Sequence, residues 1–205
     1  MDSSSDPAEA FLELRHQYLH MFEDWAGGKG GLSYDQYTKS VGYNAPERVV
    51  ELAIPFLSKD KPILDVGAGT GKVGKILSEQ GFVVDGFDYS KNMLNRAQGK
   101  GYRNLWHLSI EDVIKFGTPI EENYGAIVSA GVFGDFTFAG FLEYLLQRIP
   151  VDVVSIGGEP KDWSIKGFVR SMETNNFHVK RDMMETCYIR PNGERILYRY
   201  VVAIR

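Results

Sequence analysis

Asp65-Val66-Gly67-Ala68-Gly69-Thr70-Gly71 sets a carboxylate two residues ahead of three alternate glycines. Glycines in such a turn let backbone N–H groups approach a ligand and aim a following helix N-terminus at negative charge. Three kinds of nucleotide ligand use a loop of this sort, and spacing separates them. A triphosphate-cradling loop needs Gly, four residues, then Gly-Lys-Ser/Thr. Ending that pattern on Gly71-Lys72 puts Val66 at the first glycine and Val73 at the hydroxyl, so both required positions fail. The dinucleotide pattern Gly-x-Gly-x-x-Gly does occur, at Gly69, Gly71 and Gly74. It leaves Asp65 beside a pyrophosphate, which would repel it, and a glycine inside the preceding strand. The third reading gives Asp65 a use. An amino-acid ligand carries an ammonium for a strand-end carboxylate and a carboxylate for the loop, and S-adenosylmethionine joins both to a nucleoside.

Asp88 follows Gly71 by seventeen residues, near the ~20 at which an acid reaches ribose hydroxyls, a spacing that serves NAD equally. Tyr89 and Met93 come next and could pack on an adenine, although Met93 also suits a core. Asp85 reads as a solvated strand residue. Other chemistry-bearing residues have weaker placements. His16 and His20 are spaced like a metal pair with no further ligand, so no metal site is expected. His107 reads as structural, and Cys187 as a small buried hydrophobe. Asp135, in Val132-Phe133-Gly134-Asp135-Phe136, is the candidate catalytic or substrate carboxylate.

The elements that must hold these residues alternate. Apolar residues from Phe11 to Trp25 recur at helical spacing, and Gly27 to Gly31 form a glycine link. A helix is predicted from about Ala45 to Leu57, with Pro46 in its first turn. Strands are predicted at Pro62–Val66, Phe82–Asp88, Asn104–Leu108, Gly125–Ser129 and Asp152–Ile156. Helices lie between them at Gly71–Gln80, Ser90–Gln98 and Phe138–Arg148. This order predicts an α/β fold, a doubly wound Rossmann-like sheet. Thr186–Arg190 and Arg195–Ile204 flank Pro191-Asn192-Gly193-Glu194, which predicts a C-terminal antiparallel hairpin.

With 205 residues, a net charge of −4 and no basic run, the chain fits one domain and gives no support to a nucleic-acid surface. No apolar run reaches the ~20 residues that span a bilayer, and the acidic start is no secretory signal. A single cysteine fits a reducing compartment, and a cytoplasmic location is expected.

Leu64–Gly71 and Val84–Leu94 together resemble class I S-adenosylmethionine-dependent methyltransferases. Tyr34-Asp35-Gln36-Tyr37 followed by Gly42-Tyr43-Asn44-Ala45-Pro46 resembles the methyltransferase-like proteins of the Williams–Beuren syndrome region. The resemblance covers about Tyr34 to Ile156. It implies a seven-stranded, mostly parallel sheet and a methyltransferase domain over residues 34–205, behind an N-terminal helical extension and link over 1–33. It also implies that Asp65, Gly67, Ala68 and Gly69 hold the methionine portion, Asp88 the ribose, and Tyr89 and Met93 the adenine side. Ser109, Ile110 or Glu111 would contact the adenine amino group, because the acid usual after the third strand is replaced by Ser109.

Ala130 ends the fourth strand, which would pass under the sulfonium. The Ser129-Ala130-Gly131-Val132 sequence there lacks the Pro-Pro signature of nucleic-acid amino methylation. Tyr34 and Tyr37 would form a lid over the cofactor. The expected acceptor is a small molecule and the expected product S-adenosylhomocysteine. An NAD(P)-dependent oxidoreductase and a catalytically silent S-adenosylmethionine-binding partner protein stand as alternatives.

Overall fold

The computed structural model describes residues 31–109, 112–113, 123–133, 138–160 and 171–205. The predicted N-terminal helix, His16, His20 and most of the glycine link lie outside them. So do Ile110, Glu111 and Asp135. The elements are α1 (Tyr34–Ser40), α2 (Ala45–Ala53), a 3₁₀ turn (Ile54–Phe56), β1 (Ile63–Val66), α3 (Lys72–Glu79), β2 (Val84–Asp88) and α4 (Lys91–Ala97). They continue with β3 (Tyr102–His107), β4 (Ala126–Ala130), α5 (Phe138–Arg148), β5 (Val153–Gly158), β6 (His178–Ile189) and β7 (Arg195–Ile204).

Seven strands form one sheet in the order β3-β2-β1-β4-β5-β7-β6. The first five pair in parallel, and β7 pairs antiparallel with both β5 and β6. β1, β4 and β5 are buried almost throughout, as parallel strands covered on both faces must be. One face packs Leu64, Val66 and Ile127 against Leu142 and Leu145 of α5 and Ile149 just beyond it. The other packs Ile63, Val128 and Val202 against Val49 of α2 and Leu77 of α3. The chain leaves β1 toward β2 on one side and reaches β4 on the other, so the order reverses at β1. The carboxyl ends of β1 and β4 therefore flank the crevice where open α/β sheets bind ligands.

Local chemistry sets the element ends. Gly71 caps α3 at φ 86°, a left-handed position that suits glycine. The Ser90 hydroxyl accepts from Met93 N and starts α4. At the hairpin, Gly193 (φ 84°) donates its N–H to the Arg190 carbonyl and Arg190 N–H donates to the Glu194 carbonyl. Pro191 and Asn192 thus make a type I turn closed by a glycine bulge.

Three expectations change. β6 begins at His178, eight residues before Thr186, because its exposed Lys180-Arg181-Asp182 stretch hides the alternation of an edge strand. β5 runs through Gly157 and Gly158. A Cβ on Gly157 would come within 2.7 Å of the Tyr200 ring and 2.9 Å of Val49, so glycine there lets β7 and α2 pack onto β5. Asp85 is fully buried rather than solvated. Burial alone would raise its pKa. The Arg103 guanidinium, the Tyr124 hydroxyl and Asn104 instead hold the carboxyl below its usual range. Cys187 is 1% exposed, in β6, as a buried hydrophobe should be.

Candidate functional site

The loop between β1 and α3 forms one wall of a cleft whose opposite side is α1. Gly67, Ala68, Gly69 and Thr70 line it from the loop, Lys72 and Val73 from the first turn of α3, and Ala130 closes it from the end of β4. Tyr34 from α1 and Tyr43 and Pro46 from the start of α2 complete the lining. Gly67, Gly69 and Gly71 all have φ between 52° and 86°, the backbone form a tight, ligand-facing turn requires. The loop is braced on β2, since Gly67 N and Ala68 N both donate to the Phe87 carbonyl.

Asp65 is fully buried at the root of this loop. Its Oδ2 accepts from the Tyr102 hydroxyl at 2.6 Å, while Oδ1 has no hydrogen-bond partner among the described residues. Burial first, and then the charge of Asp88, push its pKa up to about 7 against the lowering bond from Tyr102. A buried carboxylate oxygen without a donor is costly in a finished core. It fits a site that receives a cation. Tyr102 also explains Gly74. The tyrosine hydroxyl accepts from Gly74 N at 3.1 Å, and a Cβ on Gly74 would collide with the ring. The third glycine of the apparent dinucleotide pattern therefore makes room for the residue that holds Asp65.

Asp88 ends β2 with its carboxylate held by two backbone groups. Oδ2 accepts from Gly69 N at 2.8 Å and Oδ1 from Ser90 N at 2.8 Å. Asp88 thus braces the middle of the loop, while Asp65 stands at its root. Tyr89 follows, with its carbonyl 2.7 Å from His107 Nε2. Met93 is 3% exposed on α4. Ser109 caps a helical turn, donating to Asp112 Oδ2 at 2.7 Å and accepting from Asp112 N at 3.0 Å.

Among the sequence candidates, Tyr34, Gly67, Ala68, Gly69 and Ala130 meet at the cleft, with Asp65 and Asp88 behind the loop. Tyr37 shares α1 with Tyr34 without lining the cleft. Sequence reasoning missed Tyr43, Pro46, Thr70, Lys72 and Val73 as lining residues. Tyr43 and Pro46 stood in the Gly42–Pro46 segment that carried the subfamily resemblance. Lys72 stood in the rejected triphosphate pattern.

Burial holds the Tyr34, Tyr43 and Tyr198 hydroxyls protonated well above the usual phenol range. The Tyr43 and Tyr198 rings meet edge-on, 5.9 Å apart. The Tyr43 hydroxyl lies 2.6 Å from where a Cβ on Gly131 would stand, just past β4. Neutral phenols at the end of β4 can donate hydrogen bonds and orient a ligand; they cannot act as bases near neutral pH. Half-burial holds the Lys72 ammonium below its usual range, with Asp35 opposing the shift. The cleft has about 30 Å³ of room, enough for one or two waters, against the several hundred Å³ of a typical ligand site.

Residues 63–147 match a family model described as a methyltransferase domain. A Geobacillus sp. (strain WCH70) protein that bears a methyltransferase name is 39% identical over 69 residues, 33% of this chain and 28% of its own length. The chain spans about a third of the length of the curated relatives it matches. Magnesium protoporphyrin IX methyltransferase from Synechocystis PCC 6803, solved with bound S-adenosylmethionine, superposes with a TM-score of 0.68 at 16% identity, covering 100% of both chains. A Pyrococcus horikoshii structure described as an RNA methyltransferase gives 0.62 at 17%, covering 79% of this chain and 84% of its own. At such identities these likenesses show the fold alone.

Proposed function

On the premise that this chain has the class I S-adenosylmethionine-dependent methyltransferase fold, with a methyltransferase domain matched over residues 63–147, we propose that it binds S-adenosylmethionine and methylates a small-molecule acceptor. One observation carries the reading: Asp65 is buried at the root of the glycine loop with Oδ1 unpartnered among the described residues. The residues fit this cofactor. Asp65 would take its ammonium, the loop from Gly67 to Gly69 its methionine carboxylate, Asp88 its ribose, and Tyr34, Tyr89 and Met93 its nucleoside side. Ser109, Ile110 or Glu111 would meet the adenine edge, and Tyr37 stands with Tyr34 on the lid.

When bound, S-adenosylmethionine supplies a methyl group already activated on a sulfonium. The chain's own residues then have to align the acceptor and exclude water, and holding two reacting atoms in line is worth as much as ~7–11 kcal/mol. Ala130 and Gly131 form the floor at the end of β4. Tyr43 and Tyr198 orient the acceptor as neutral donors, and α1 closes the cleft. Asp135 is the candidate carboxylate on the acceptor side.

Neutral phenols and the net charge of −4 favour a small acceptor over a nucleic acid. The structural neighbour named for magnesium protoporphyrin IX acts on such a molecule. Within the superfamily we place the chain with the methyltransferase-like proteins of the Williams–Beuren syndrome region, on Tyr34–Tyr37 and Gly42–Pro46, with the domain at residues 34–205 in the cytoplasm. Among the described residues no helix is long and apolar enough to cross a membrane.

Titration calorimetry tests the reading. S-adenosylhomocysteine should bind one to one and NADH should give no heat. Absence of S-adenosylhomocysteine binding at millimolar concentration overturns it. Binding without methyl transfer to any acceptor in a broad screen would leave a silent partner protein.

A further inference from the structure

Three contacts that hold α1 over the cleft converge on one ammonium. Lys72 Nζ donates to Thr38 Oγ1 at 2.6 Å, lies 5.6 Å from the centroid of the Tyr34 ring, and stands 3.8 Å from Asp35 Oδ1. All three partners belong to α1. Lys72 Nζ is also 5.9 Å from the Tyr43 ring, so one cation bridges the lid and the cleft wall beneath it.

Asp35 answers from the other side. Its Oδ1 accepts from Thr70 Oγ1 at 2.7 Å. Lys100 Nζ stands 4.0 Å from its Oδ2 and donates to the Thr70 carbonyl at 2.6 Å. A single lid carboxylate therefore sits between two lysines and a hydroxyl of the glycine loop. The side chains of Lys72, Lys100 and Asp35 are 27%, 30% and 34% exposed. Water and salt reach these groups, which makes the junction reversible rather than part of the core.

We propose that Lys72 and Asp35 are positioning residues of the cofactor site. They form an electrostatic latch that holds α1 closed over the glycine loop and sets how long the bound cofactor stays. The inference rests on the S-adenosylmethionine reading for the identity of the ligand. It goes beyond that reading by assigning lid closure to two named charges. Because Asp35 and Lys72 pin α1 against the glycine loop, a ligand seated on that loop exchanges more slowly while the latch holds. Weakening the latch therefore speeds that exchange.

Two measurements test it: hydrogen exchange of the α1 amides without ligand, and stopped-flow dissociation of S-adenosylhomocysteine. Asp35→Asn and Lys72→Met should each raise α1 exchange and the dissociation rate roughly three- to ten-fold, while amides of β1 and β4 stay protected. Lys72→Arg keeps the charge and should restore near wild-type values. Raising salt from ~0.05 to ~0.5 M should speed dissociation in the wild type and much less in Asp35→Asn. Lys100→Met attacks the same latch from outside the cleft lining, should one of the other variants fail to fold. Unchanged α1 exchange and dissociation in both Asp35→Asn and Lys100→Met overturn the latch. Loosened α1 amides in a protein that does not bind S-adenosylhomocysteine would keep the latch and overturn the cofactor reading.

Discussion

Asp65 sets a carboxyl on a buried parallel strand with Tyr102 on one oxygen and, among the described residues, no donor on the other. A carboxyl whose native pKa lies above its unfolded one favours the native state while protonated. This contribution is full below the unfolded value near ~4 and is lost as pH rises through about 7. Asp65→Asn should therefore flatten the pH dependence of the unliganded melting temperature and stabilise the protein at pH ~8 by as much as ~4 kcal/mol. An unchanged pH profile would show that Asp65 does not titrate there. The same group reports ligand binding. Pairing with an ammonium ionises it, so S-adenosylhomocysteine binding near pH ~6.5 should release a proton in the wild type and none in Asp65→Asn, read from calorimetry in buffers of different ionisation enthalpy. Gly67→Ala is predicted to cost roughly 1–3 kcal/mol and to weaken binding, because φ is 75° and the added methyl meets the Val132 side chain. Denaturant unfolding measures the first effect. Asp65 and its glycines were legible because turn chemistry is local. Asp85 was not, since its partners Arg103 and Tyr124 lie 18 and 39 positions away. Nor were Asp35 and Lys72, whose meeting depends on how α1 docks.

At the scale of elements, the sequence located α2, α3, α4 and α5 to within a few residues, signalled no helix at Tyr34–Ser40 and misjudged strand ends. The helices carry capping and breaking signals, Ser90 before α4 and Gly81 after α3 among them. Strand length depends on pairing. Gly157 and Gly158 join β5 because they pair with Tyr200 and Arg199 of β7. The hairpin is tied to the lid in turn: Ile189 N donates to the Val41 carbonyl, Asn44 N to the Cys187 carbonyl, and Arg48 pairs with both oxygens of Glu185. The root of the lid is thus fixed to β6, while α1 itself meets the glycine loop and α3 through Asp35 and Lys72 and bonds Tyr43 through Tyr34. Elements held by few apolar contacts open below the global unfolding free energy. Tyr34→Ala should accordingly lower S-adenosylhomocysteine affinity about ten-fold, or ~1.4 kcal/mol, with little change in the unliganded melting temperature. Unchanged affinity by calorimetry would remove Tyr34 from the lid.

Across the whole molecule, the reversal of strand order at β1 is what makes one crevice of several unrelated loops. Gly67–Thr70 follow β1, Ala130 ends β4, and Tyr34 and Tyr43 come from segments that precede the sheet in sequence. Ligand that binds this crevice binds only the folded sheet, so occupancy must appear as global stability. At one hundred times its dissociation constant a ligand adds ~2.7 kcal/mol. For a chain of this length, 205 residues, that corresponds to a rise in melting temperature of roughly 5–11 °C. S-adenosylhomocysteine is predicted to produce that rise and NADH none, measured by differential scanning calorimetry at matched multiples of concentration. Both ligands present a ribose to an acid such as Asp88, so a rise with either alone would only show that a nucleoside fits. The contrast lies at Asp65. An ammonium relieves its buried, unpartnered oxygen and a pyrophosphate does not. The S-adenosylhomocysteine shift should therefore shrink in Asp65→Asn, whereas a shift that NADH shares and Asp65→Asn leaves intact would return the site to the dinucleotide enzymes.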